Sequence, residues 1–385
     1  MIAAGRVIRV LIVDDSAFMR RAIEKMLVSE PDISVVGVAS TGEEGLEKQA
    51  ELKPDIITMD VEMPGIGGLE AARQIIARRG PPIIMISSLT REGADTTLRA
   101  LEIGVVDFIP KPNSAYIDIL RVKSDLVEKV RYFGSRAAVM SRPPVPSART
   151  ASTVPAPVAA PPAVTQVATV APSPARPSFV ARAARARSGS FECVAIGTST
   201  GGPVALATVL PKLPKAFPLP IVVVQHMPPG FTKALADRLN ATSQIRVVEG
   251  ENGMRLAPGT AIIAPAGQQL TLRRVGAAIE IRLDADVKKS LHVPSVDVMA
   301  GSVGEVFGAA ALGVILTGMG HDGVIGLGVI KRNGGYVIGQ DEASAVVYGM
   351  PRAAAVAGLV DRVSPLDNVA RAICEAVGTP YVSNP

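Results

Sequence analysis

Residues 141–190 hold ten prolines and six arginines among alanine, serine, threonine and valine, with no aspartate, glutamate or lysine. Such a stretch carries neither the two-residue period of a strand nor the 3.6-residue period of a helix, and it favours extended, polyproline-like chain. No single hydrophobic core can run through it. At 385 residues the chain also exceeds the usual size of one core. Two folded units are therefore expected, at 7–130 and 191–380. A flexible linker over 131–190, Pro/Ala/Arg-rich from about 141, joins them. Apolar residues make up 48% of the chain and aromatics only 3%, so both cores must be aliphatic.

The same segment accounts for the basic balance. Its six arginines exceed the net charge of +5, which leaves about −1 for the rest of the chain. Neither folded half is basic overall, so no nucleic-acid partner is expected. A basic partner-binding tail is the weaker reading of the segment, because its arginines are sparse and lack interleaved aromatics. No apolar run approaches the roughly 18–20 residues that span a bilayer, so no membrane insertion is expected. The first apolar run stops at Asp14-Asp15 without a cleavage-like site. Cys193 and Cys374 sit in apolar surroundings and read as small buried hydrophobes in a reducing, cytoplasmic compartment.

In the first half, short apolar runs at 10–13, 33–38, 55–59, 82–86 and 106–109 alternate with helical patterns. Phe18, Met19, Ala22, Met26 and Leu27 are predicted to share one face of a helix over 16–28. Thr41 with Glu44 predicts a capping box that opens a helix to Leu52, and Gly80 is predicted to close the helix over 69–79. Regular βα alternation predicts an α/β fold with an open, doubly wound parallel sheet. Ligands of such sheets gather at the carboxyl ends of the strands, where Asp14, Asp15, Asp60, Ser87 and Lys111 all fall. Taken singly, a strand-end aspartate commonly caps a helix and a lysine is usually a solvated charge. Five such residues at one sheet edge argue against coincidence. Clustered carboxylates repel one another and call for a hard divalent cation such as Mg²⁺. Asp60 would attack a phosphoryl group, Lys111 and the metal would neutralise its oxygens, and the Ser87 hydroxyl would bond it afterwards.

The second half presents Ser199 on a turn between an apolar run at 193–197 and a helix reaching about 210, with Pro203 suited to its first turn. Backbone N–H groups at a helix start can stabilise an oxyanion, but a serine hydroxyl needs a base. The chain has three histidines. His226 ends the run at 221–225 and lands at the Ser199 edge. A lone histidine there is more often structural, yet the serine turn requires a base. His292 lies in a loop without such a placement, and His321 reads as exposed. Asp322, after a strand over 312–317, would hold the second imidazole nitrogen. A competing motif is G-x-G-x-x-G at Gly318, Gly320 and Gly323, with Asp341 and Glu342 downstream as in dinucleotide sites. That reading leaves Ser199 and His226 unexplained and sets the Asp322 carboxylate beside a pyrophosphate.

The segments VLIVDDSAFMR (10–20), ITMDVEMPGIGGLEAA (57–72), IIMISSLT (83–90) and VVDFIPKP (105–112) resemble the receiver domain of response regulators. The resemblance implies a flavodoxin-like domain in which Asp60 is phosphorylated by a chemotaxis histidine kinase. It further implies that Asp15, Asp60 and the Glu62 backbone carbonyl bind Mg²⁺, with Asp14 acting indirectly. Ser87 becomes the switch hydroxyl, Lys111 the phosphate-sensing cation and Phe108 the switching aromatic. Gly67 stands where many relatives carry an aspartate, outside the acid pocket.

The segments AIGTSTGGP (195–203), VVVQHMPPGFT (222–232), PSVDVM (294–299), VILTGMGHDG (314–323) and QDEASAVVYGMP (340–351) resemble the catalytic domain of chemotaxis protein-glutamate methylesterases. This resemblance implies a Rossmann-like domain with Ser199, His226 and Asp322 as the catalytic three and the Thr200 and Met319 backbones as oxyanion donors. It also implies methyl-accepting chemoreceptors as substrate, glutamine deamidation as a second reaction, and no cofactor for the ester chemistry. A receiver packed over the Ser199 edge would block a large substrate until Asp60 is phosphorylated. The other reading is a response regulator with a dinucleotide-binding or non-catalytic output domain. A DNA-binding output would need a basic recognition helix after the linker, and none is legible.

Overall fold

The computed structural model describes residues 7–111, 116–136, 191–285 and 290–381. The linker expected from about 141 lies outside the described residues. In the first half, strands β1 (Ile8–Val13), β2 (Ile33–Ala39), β3 (Ile56–Asp60), β4 (Ile83–Ser87) and β5 (Asp107–Pro110) alternate with five helices. These are α1 (Ala17–Val28), α2 (Gly42–Leu52), α3 (Gly67–Ala77), α4 (Arg91–Glu102) and α5 (Tyr116–Gly134). The sheet order is β2-β1-β3-β4-β5 and every pairing is parallel. Strands β3 and β4 are buried along their whole length, which is why they read as continuous apolar runs and not as alternation. Helix α5 continues past residue 130 to Gly134, anchored by the fully buried Val130 and Phe133.

Three local expectations need correction. The buried face of α1 is Met19, Ile23, Met26 and Leu27, spaced i, i+4, i+7, i+8, whereas Phe18 is 76% exposed. Phe18 sits one residue, about 100°, off that stripe. Thr41 does cap α2, accepting from Glu44 N at 3.2 Å. Glu44, however, returns to the backbone N–H of Ser40 at 2.6 Å and not to that of the cap residue. Helix α3 ends at Ala77, and the left-handed residue is Arg79 (φ 55°), not Gly80. Gly80 is needed for a different reason, since a Cβ there would lie 2.5 Å from the Ile75 side chain.

The second half is built on β6 (Cys193–Thr198), α6 (Gly202–Val209), β7 (Ile221–Gln225), α7 (Phe231–Thr242), β8 (Arg246–Glu249) and β9 (Thr260–Ile263). An antiparallel hairpin, β10 (Gln269–Val275) and β11 (Ala278–Asp284), then interrupts the alternation, turning at Gly276 with φ 59°. The chain resumes with α8 (Val296–Phe307), β12 (Ala311–Ile315), α9 (Val324–Arg332), β13 (Tyr336–Gln340), α10 (Met350–Val356), β14 (Arg362–Ser364) and α11 (Leu366–Val377). The parallel sheet runs β14-β13-β12-β6-β7-β9-β8. The chain leaves β6 toward β7 and returns on its other side with β12, so the crevice at their carboxyl ends is the topological switch point. Residues 199, 226 and 322 follow the three central strands β6, β7 and β12. Both cysteines are buried and unpaired.

Candidate functional sites

In the first sheet, oxygens of Asp14, Asp15 and Asp60 lie within 4.8 Å of one another. Asp14 and Asp60 are buried, and Asp14 Oδ2 has no hydrogen-bond partner. Burial, then the neighbouring Asp60 charge, pushes the Asp14 carboxyl up to about 6. Burial also raises Asp60, against the opposing pull of Lys111, whose Nζ donates to Asp60 Oδ2 at 2.7 Å. The Glu62 N–H donates to Asp60 Oδ1 at 3.3 Å. An orphaned buried oxygen among three crowded carboxylates is the donor set a hard cation requires, so these residues fit Mg²⁺. Ser87 reaches the same edge, but its hydroxyl is turned away from the acids. It donates to Gly93 O at 3.3 Å and lies 2.7 Å from the Thr97 hydroxyl on α4.

In the second sheet, Gly201 (φ 77°) provides the left-handed step that starts α6, leaving Ser199 on a tight turn whose carbonyl accepts from Gly202 N at 2.8 Å. Gly318 backs this turn, and a Cβ there would stand 2.9 Å from the Ser199 Cβ. That close approach explains the first glycine of the G-x-G-x-x-G pattern without a dinucleotide. Asp341, the supposed ribose ligand, is engaged locally with the Ser344 backbone and hydroxyl. The N–H groups of Thr200 and Met319 donate to no acceptor among the described residues, so both remain available to a developing oxyanion.

His226 Nε2 lies 2.8 Å from Asp322 Oδ2. With Nε2–H donating to the carboxylate, Nδ1 keeps the lone pair and is the ring nitrogen not engaged by Asp322. No hydrogen bond joins the Ser199 hydroxyl to the ring, while the two residues are tied through their backbones. Thr198 O accepts from His226 N at 3.2 Å, and the Gln225 amide donates to both Ser199 O and His226 O at 2.9 Å.

Asp322 is held from several sides. Ser295 Oγ and Asp297 N donate to Oδ1 at 2.9 Å, and Val296 N donates to Oδ2 at 2.7 Å. It thus caps α8, whose first N–H groups point at it. Burial opposes ionisation, but the His226 bond and these backbone donors win and hold Asp322 below the usual carboxylate range. Asp297 returns the favour to α9, accepting from Gly323 N and Gly326 N at 2.9 Å. The two helices cross so closely that a Cβ on Gly326 would meet Asp297 O at 2.4 Å.

Several residues at these sites escaped the sequence reading. His292, set aside as a loop residue, stacks on His226 with ring centroids 4.2 Å apart and an interplanar angle of 10°. Ser295 and Asp297 carry a legible cap signature, Ser-x-Asp at a helix start, whereas Gln225 shows no signal beyond adjoining His226. His321 is exposed, as expected.

The two sheets also meet. Phe108 of β5 stacks on Phe231 of α7 at 4.8 Å and 16°. Asp107 Oδ2 accepts from the Thr200 hydroxyl at 2.7 Å and lies 3.0 Å from the buried Lys129 ammonium. Burial works against the Lys129 charge, but Asp107 and Asp125 outweigh it and raise this ammonium above its usual range. Tyr132 OH donates to Val346 O at 3.3 Å, and Glu102 of α4 pairs with Arg238 of α7. Beside that pair, Leu98 and Leu101 of α4 line a cleft of about 120 Å³ with Val204 and Leu235.

A family model described as CheB methylesterase matches residues 194–373, and one described as response regulator receiver domain matches residues 10–119. The protein-glutamate methylesterase/protein-glutamine glutaminase 1 of Oleidesulfovibrio alaskensis is 44% identical over 382 residues, covering 96% of this chain and 99% of the relative. The enzyme of that name from Lawsonia intracellularis is 44% identical over 372 residues, with 96% and 99% covered. The crystal structure of the Thermotoga maritima CheB methylesterase catalytic domain is 43% identical, covering 48% of this chain and 98% of that one at a TM-score of 0.47. With its receiver half, its hydrolase-like half and this identity along nearly its whole length, the chain belongs to the protein-glutamate methylesterase/protein-glutamine glutaminase family.

Proposed function

We propose that the chain is a phosphorylation-activated serine hydrolase that removes methyl groups from glutamate γ-methyl esters of chemoreceptors and deamidates receptor glutamines. The observation that carries the chemistry is the 2.8 Å His226–Asp322 bond beside the Ser199 turn. His226 Nδ1 takes the Ser199 proton as Oγ attacks the ester carbonyl, and the Thr200 and Met319 N–H groups receive the oxyanion. The imidazolium, stabilised by ionised Asp322, returns that proton to the departing methoxide, and methanol leaves. Water then gives a proton to Nδ1 and attacks the acyl group. As the acyl–Oγ bond breaks, the imidazolium returns that proton to Ser199 Oγ, and a glutamate carboxylate is released. With an amide the leaving group is ammonia. The ester chemistry draws on no cofactor.

The receiver half supplies control. Asp60 accepts a phosphoryl group from a chemotaxis histidine kinase; Asp15, Asp60 and the Glu62 carbonyl would hold Mg²⁺, with Asp14 contributing indirectly. The metal supplies charge neutralisation for phosphoryl transfer. Lys111 is already in contact with Asp60. Ser87 must leave Thr97 and Gly93 to reach a phosphoryl oxygen, and this loosens the seat of α4 against α7. Thr200, next to the nucleophile, is bonded to receiver residue Asp107, and this supports inhibition by the resting receiver. Methanol release from methylated receptor, with and without a phosphodonor, tests both parts. Ser199→Ala is expected to abolish it, and retained activity would overturn the assignment.

A further inference from the structure

We infer that His292 is a positioning residue for the base His226, holding the imidazole plane by ring-on-ring contact and taking no proton itself. The inference rests on the serine-hydrolase reading above.

A single bond to Asp322 fixes one point of the His226 ring and leaves the ring free to turn about that bond. Turning would change the direction of Nδ1 while the 2.8 Å contact survives. A flat partner parallel to the ring at 4.2 Å and 10° removes that freedom, because rotation would drive one ring into the other. It also excludes water from that face.

The partner is itself well anchored. Gln269, buried at the start of β10, spends both ends of its amide on the segment that carries His292. Its Nε2 donates to His292 O at 2.8 Å and its Oε1 accepts from Ser295 N at 2.8 Å. Val293 O accepts from Gly267 N at 3.1 Å. Ser295, three residues after His292, donates its hydroxyl to Asp322 Oδ1. One short segment, pinned to the hairpin that interrupts the αβ alternation, therefore grips the dyad twice. His292 lies against the face of the base, and Ser295 bonds the acid that orients it.

The test compares full-length wild type, Ser199→Ala, His292→Ala and His292→Phe in methanol release from methylated chemoreceptor, with Mg²⁺ and a small acyl phosphate present. Misorientation of a catalytic group costs on the order of 10- to 100-fold, so His292→Ala is expected to lower kcat by that factor with KM within about 2-fold. His292→Phe keeps a flat ring and is expected to restore kcat to within about 3-fold of wild type. Unchanged kcat in His292→Ala, or His292→Phe as slow as His292→Ala, overturns the positioning role. An active Ser199→Ala instead overturns the hydrolase reading beneath it, so the two failures are distinct. With only three histidines in the chain, imidazole NMR of the unmutated protein gives a check independent of turnover and of variant folding. A cross-relaxation contact between the two rings, with His226 protonated at Nε2, is expected. Its absence contradicts the stack.

Discussion

The two sheet edges handle buried carboxylates in opposite ways. At the receiver edge three acids crowd together, Asp14 leaves an oxygen without a partner, and its carboxyl is pushed up to about 6. At the catalytic edge a single acid, Asp322, receives donors from His226, Ser295, Val296 and Asp297 and is held below its usual range. The first site is electrostatically unfavourable as it stands, and a cation entering it would relieve the repulsion. The second has its acid bonded to the imidazole and fully partnered before substrate arrives, an arrangement that suits a charge present only during reaction. A switch needs the former condition and a hydrolase the latter.

The largest test of this contrast is Asp322→Asn. It removes the charge opposite the imidazolium and favours the wrong tautomer, so kcat should fall by roughly 10³-fold or more. A loss under about tenfold would make the acid a mere helix cap. Asp60→Asn, or wild type in chelator, should lose the whole phosphodonor-dependent increase in methanol release. An increase that survives in either would place the switch outside the acid pocket. Phe108→Ala removes the stack on Phe231, and unphosphorylated activity should rise by roughly 3- to 10-fold as the inhibited packing loses population. No rise would assign inhibition to the Asp107–Thr200 bond.

The smallest effects are pH slopes of opposite sign. Asp14 binds its proton more tightly folded, at about 6, than unfolded, near its ordinary 3.8. Metal-free receiver should therefore gain stability as pH falls from 7 through 6, and lose that slope when Mg²⁺ is added. Asp322 has the reverse shift. Its contribution is complete above its ordinary 3.8 and is lost as pH falls below that value. Melting curves against pH, with and without Mg²⁺, distinguish the two; a common slope would dissolve the contrast.

Much of both sites was legible because strand ends are legible. Buried parallel strands read as apolar runs, and the residue after each run lands at the edge where ligands gather. That placed Asp14, Asp60, Ser87 and Lys111 on one edge and Ser199, His226 and Asp322 on another. Helix faces were read less well, since a one-residue error in phase puts Phe18 in solvent. His292 was missed because its loop has no period, and its meaning lies in a ring that arrives from another part of the chain. The contact between Asp107 and Thr200, 93 residues apart, has no local signature at all.

The order of apolar runs and the residues that end them are properties of the chain itself, and they determined two parallel sheets, two reactive edges and the chemistry each edge can carry. Only the folded molecule decided that the His292 ring lies on the His226 ring, that two helices cap each other through Asp322 and Asp297, and that Asp107 is the receiver residue bonded to Thr200. Period and burial act between near neighbours along the chain. Contacts of this second kind depend on the packing angles of whole elements, which no run of residues encodes alone.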